Sequence, residues 1–140
     1  MNATAAVIGL AACLALAPAC AGGSRAAAAK RMENSMSQHQ QPDATEAKIL
    51  FESGAVLLDV RGLDEWEAGH VKGAVFLPWT DVEKKAPGLL PDTSVPIVTY
   101  CRSGPRAARA ANMLRLLGYT RVQAMTGGFE DLKKAGVPSE

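Results

Sequence analysis

The chain has 140 residues, 15 Lys and Arg against 14 Asp and Glu, a net charge of +1 and 48% apolar residues. That length holds one domain, and so even a charge balance, with no long single-sign tract, excludes nucleic acid held on a basic face. Any preference for anions has to be local.

Residues 1–19, MNATAAVIGLAACLALAPA, carry no charge and end in small side chains, which predicts an export signal rather than a membrane span. The usual positive start is absent, and Met32 as the true start would leave the protein in the cytoplasm. The stretch LAPACAGGS resembles a bacterial lipoprotein signal, with Cys20 as the lipidated residue, although the leucine sits one place further from the cysteine than is usual. Plain secretion is the alternative. The expected location is periplasmic or anchored at the outer membrane, with membrane contact only through that lipid. Residues 20–42 are small, polar and patternless, and predict a flexible linker.

A single domain is expected over residues 43–140. DATEAKILFESG has helical spacing with Gly54 as its stop, and AVLLDV is a short apolar run of the kind buried on both faces of a sheet. LDEWEAGH predicts a short helix with an acidic first turn, and GAVFLP a second buried strand. APGLLPDTSV is read as a loop, PIVTYC as a third strand, and residues 105–117 as a helix with Pro105 at its start and Gly118 at its cap. YTRVQAM is a fourth strand and GGFEDLKKAG a last helix. Such alternation predicts an α/β domain with a mainly parallel sheet.

Cys101 closes the third strand, at the edge where open α/β sheets bind ligands. It stands ahead of a helix N-terminus, whose free N–H groups and dipole favour negative charge, and Arg102 and Arg106 add two cations. Each influence favours the thiolate, so a nucleophilic sulfur is expected. Gly104 allows the backbone to curve around an anion, and Ser103 completes the loop. With Cys13 inside the expected signal and Cys20 removed or capped, Cys101 has no disulfide partner. It is either an inert packed thiol or a working nucleophile, and its cationic neighbours favour the second.

The loop CRSGPR resembles the active-site loop of the rhodanese family of sulfurtransferases. LLDVRGLDEWEAGHVKGAVFLP resembles the stretch before that site and GGFEDLKKAGVP the closing helix, so the resemblance covers essentially all of residues 43–140. It implies a three-layer α/β fold, a mainly parallel five-stranded sheet with helices on both faces. It also implies that Cys101 takes a sulfane sulfur from a small anionic donor such as thiosulfate and passes it, as a persulfide, to cyanide or a thiol. Backbone N–H groups from Arg102 to Arg106 would then stabilise the sulfur, and the two guanidinium groups would meet the donor's sulfonate. No metal or organic cofactor is implied. Lys72 replaces a proline common in the family, and a looser turn is expected there.

Asp59 and Arg61 follow the first strand; bracing of strand ends is preferred to a direct role in shaping the loop. His70, Trp66 and Trp79 are read as structural, and the pair Gly127-Gly128 as a turn requirement. Two rival functions remain. A non-catalytic or redox-sensing module would need the fold, and for sensing an exposed thiol. A cysteine phosphatase or arsenate reductase would need a longer loop than the four residues between Cys101 and Arg106.

Overall fold

The computed structural model describes residues 41–140; the expected signal, Cys20 and the linker to residue 40 lie outside the described residues. Helix α1 (Ala44–Glu52) is started by Asp43, whose carboxylate accepts from the Thr45 and Glu46 N–H groups while Glu46 reaches back to Asp43. Strand β1 (Val56–Asp59), helix α2 (Leu63–Glu67), strand β2 (Val75–Phe76) and helix α3 (Val82–Leu89) follow. Strand β3 (Ile97–Cys101), helix α4 (Pro105–Leu116), strand β4 (Val122–Gly128) and helix α5 (Phe129–Lys134) complete the domain.

The sheet is all parallel, in the order β2-β1-β3-β4. Alternate residues of the central strands feed two cores. Leu58, Ile97 and Cys101 pack with α3 and α4 through Val82, Ala86, Ala107, Ala111 and Leu114. Leu57, Val98 and Tyr100 pack with α1 and α5 through Ala47 and Leu132. Burial on both sides is why β1 and β3 read as continuous apolar runs.

Three expectations are corrected. The described residues form four strands, not five; where the chain ends return, Val71 and Ser139 make only an isolated antiparallel bridge. Part of the supposed loop is helix α3, which contains Pro87. Its residues Val82, Ala86 and Leu90 recur at helical spacing and bury against α4, which overrides the turn signal of Pro87-Gly88. The turn at Lys72 is not loosened by the missing proline. The Lys72 N–H donates to the Pro138 carbonyl at 2.9 Å, a bond that proline has no N–H to make.

Strand β4 shifts register against β3. Thr99 pairs with Ala124 but Cys101 with Gly128, so two steps along β3 match four along β4. The bulge carries the start of α5 to the edge where the Cys101 loop leaves the sheet.

Candidate active site

Cys101 ends β3 and is 1% exposed, packed in the core that also holds Leu58, Val60 and Ala107. The expectation of a thiol among cations rather than apolar groups is therefore half right. A strand buried on both faces turns its last side chain inward, while the following loop supplies the polar surroundings.

Gly104, the N-cap of α4, has φ +109° and donates its N–H to Cys101 Sγ at 3.0 Å. A side chain there would be strained, because that backbone region favours glycine. The expected cradle of amides from Arg102 to Arg106 is narrower than a full ring. Pro105 has no N–H, and Gly104 supplies the loop amide that reaches the sulfur. Thr99 Oγ1 donates to the Ala107 carbonyl at 2.9 Å and ties β3 to the first turn of α4. Ser103 is exposed.

The two loop arginines part company. Arg102 is exposed and lines an open cleft of about 340 Å³ with Arg61, Glu65, Phe129, Glu130 and Lys133. Arg106 is gripped in a two-pronged pair by Glu65: its Nη2 donates to Oε1 at 3.0 Å and its Nη1 to Oε2. That hydrogen bonding, with the charge of Arg106, holds the Glu65 carboxyl down at about 2, although burial opposes it. Arg106 is raised in turn, first by Glu65 and also by the neighbouring Cys101. So the guanidinium expected to await a sulfonate is already engaged, and Glu65 is a site residue that the sequence reading missed.

Asp59 and Arg61 form a separate network, buried to 0% and 5% exposure. Arg61 Nε donates to Asp59 Oδ1 at 2.9 Å and Nη2 to Oδ2 at 2.6 Å; Nη2 also reaches the Gly69 carbonyl at 2.7 Å. The Tyr100 hydroxyl donates to Asp59 Oδ2 at 2.7 Å, and burial together with Asp59 pushes Tyr100 well above its ordinary range. The Arg61 guanidinium lies 4.4 Å from the centre of the Phe129 ring. This geometry braces the ends of β1 and β3 against the start of α5, and it turns one edge of Arg61 toward the cleft.

His70 stacks on Trp66 with ring centres 3.5 Å apart and bonds through Nδ1 to the Trp66 carbonyl at 3.0 Å. Trp79 packs against the core under Arg109. Gly128 needs a different account from the expected turn. Its φ is −154°, which any residue adopts, but a Cβ there would overlap the Arg102 carbonyl and lie 2.8 Å from the Cys101 oxygen. Glycine is required because the backbone of Cys101 and Arg102 rests on it. Among the described residues no group of three or more His, Cys, Asp or Glu side chains is placed to hold a metal ion.

The profile of the family described as "Rhodanese-like domain" matches residues 43–135. The chain belongs to the rhodanese-like domain family. Among its curated relatives, the Bacillus subtilis protein YqhL is 36% identical over 76 residues, 54% of this chain and 59% of that one. The chain thus spans less than two thirds of YqhL. The thiosulfate sulfurtransferase GlpE of Pseudomonas fluorescens SBW25 is 30% identical over 105 residues, covering 75% of this chain and 94% of that one. The crystal structure of the rhodanese-like domain of the Anabaena protein Alr3790 superposes with a TM-score of 0.59 at 31% identity, over 62% of this chain and 99% of that one. These likenesses give the rhodanese fold and support a sulfurtransferase-type role.

Proposed function

We propose that this rhodanese-like protein moves a sulfane sulfur from thiosulfate or a similar small anionic donor to cyanide or a thiol, through a persulfide on Cys101. The observation that carries the reading is the Gly104 N–H donated to Cys101 Sγ at 3.0 Å, at the mouth of α4. An anionic sulfur there meets a fixed donor and the positive end of a helix. In the loading step the Cys101 thiolate attacks the sulfane sulfur of thiosulfate. A new S–S bond forms, the donor's S–S bond breaks, and sulfite leaves with the electron pair. In the second step cyanide attacks the outer sulfur of the persulfide, thiocyanate leaves, and the Cys101 thiolate returns. No oxidant or metal enters either step.

The roles follow from placement. Cys101 is the nucleophile; Arg102, exposed on the cleft, meets the anionic end of the donor, and Gly104 and Ser103 form the loop around the sulfur. Asp59 and Arg61 hold the strand ends that carry the loop. Thiocyanate formation from thiosulfate and cyanide tests the reading. Activity in the wild type and none in Cys101→Ser supports it, whereas equal activity in both sinks it. We also propose export through residues 1–19, with Cys20 as the lipid attachment point. A lipidated mature mass from a membrane fraction supports that, and an unmodified soluble chain overturns it.

A further inference from the structure

Among the described residues three polar or charged side chains are buried: Asp59, Arg61 and Thr99. Asp59 and Arg61 bond each other. Thr99 lies on β3 two residues before Cys101, and residues two apart on a strand share a face. Both therefore look onto α4. The Thr99 side chain is fully buried, and its Oγ1 donates to the Ala107 carbonyl at 2.9 Å. Among the described residues this is the one hydrogen bond from β3 to the backbone of α4. Around it the helix turns Ala107, Ala110 and Ala111 toward the core. Alanines let helix and strand approach closely, but apolar contact is non-directional and sets no register between them. A hydrogen bond, with its narrow range of distance and angle, does.

The sulfur's donor depends on that register. The Gly104 N–H reaches Cys101 Sγ at 3.0 Å, and the Gly104 carbonyl accepts from the Ala108 N–H at 2.9 Å. Gly104 therefore moves with the first turn of α4, the turn that Thr99 holds. A valine at position 99 would fill the same space with no hydroxyl to desolvate. What the hydroxyl contributes here is its bond to α4. We infer that Thr99 is a positioning residue for sulfur transfer: by pinning the first turn of α4 to β3, it sets the Gly104 N–H on the Cys101 sulfur. This rests on the sulfur-transfer reading of Cys101, in which the thiolate takes the sulfane sulfur of thiosulfate and sulfite leaves. Thr99 acts through the helix and not on the donor.

The test is thiosulfate loading of the full-length wild type, Thr99→Val and Thr99→Ser, followed by intact mass at timed quenches. Thr99→Val keeps the shape and loses the hydroxyl; Thr99→Ser keeps the hydroxyl and leaves a methyl-sized gap. The maximal loading rate should fall about fivefold in Thr99→Val, the size of one ordinary hydrogen bond. The thiosulfate concentration at half-maximal rate should not change, because the donor is met by Arg102. Thr99→Ser should load at close to the wild-type rate. A packing role reverses the order and makes Thr99→Ser the slower variant. That reversal, a wild-type rate in Thr99→Val, or equal slowing of both variants overturns the inference. If the wild type gains no sulfur, the sulfur-transfer reading fails, and the role of Thr99 is decided by the Gly104 amide signal in proton–nitrogen spectra. A signal displaced in Thr99→Val and restored in Thr99→Ser supports the positioning role. One unmoved in Thr99→Val, or displaced equally in both, overturns it.

Discussion

Two carboxylate–arginine pairs stand a short way apart at the same sheet edge, and they are built for different work. Asp59 and Arg61 are two residues apart and buried to 0% and 5% exposure; the Asp59 carboxylate accepts from the Arg61 side chain, the Arg61 amide and Tyr100, and Arg61 Nη2 also donates to the Gly69 carbonyl. Glu65 and Arg106 are joined across 41 residues, with side chains 32% and 31% exposed. A buried, fully bonded pair cannot lose one member without stranding a charge. A half-exposed pair is screened by water and can be altered at small cost. The first pair is therefore scaffold, and the second is where the site's charge can be tuned without unfolding the domain.

The largest expected effect breaks the scaffold. Asp59→Ala leaves Arg61 and the Tyr100 hydroxyl without their acceptor, and should cost about 3–5 kcal/mol of stability, read from urea unfolding. A cost below about 1 kcal/mol would mean that the buried pair behaves like the exposed one. Next comes Gly128→Ala, where a methyl group meets the Arg102 carbonyl. Overpacking against backbone should cost about 2–3 kcal/mol and slow sulfur loading, because the displaced segment is the Cys101 loop itself. A neutral Gly128→Ala would show that β4 does not support the loop.

The smallest effect concerns acid. Because Arg106 holds the Glu65 carboxyl at about 2 rather than 4.5, the pair stabilises the fold fully above about 4.5 and loses that contribution as pH falls toward 2. The contribution is below about 1 kcal/mol for so exposed a pair. The Tm gap between wild type and Glu65→Gln should thus be constant above pH 5 and close between pH 4.5 and 2, roughly the window set by those two values. A gap that persists at pH 2 would contradict the assignment of the charge to Glu65.

The same contrast explains what the sequence made legible. Asp59 and Arg61 flank one strand end, so their partnership is visible in the run LLDVR. β1 and β3 announce themselves by unbroken apolar runs, and α4 by Pro105 and Gly118 at its ends. Glu65 sits in the short helix LDEWE as one of several acids, and nothing local marks it as the partner of Arg106. Helix α3 was hidden because Pro87-Gly88 are strong turn signals, and only burial against α4 defeats them. Gly128 was legible as a glycine, but the reason for it lies in a loop that folds back from the neighbouring strand. The burial of Cys101 was likewise set by the strand it ends, while the sequence displayed the cationic loop that follows. Contacts between near neighbours could be read; those closed by the sheet could not.

The most direct measurement is the intact mass of the full chain before thiosulfate, after it, and after cyanide. A gain of one sulfur atom that cyanide removes, absent in Cys101→Ser, is the result expected of a persulfide carrier. No gain from thiosulfate, or an equal gain in Cys101→Ser, would contradict the account at its centre.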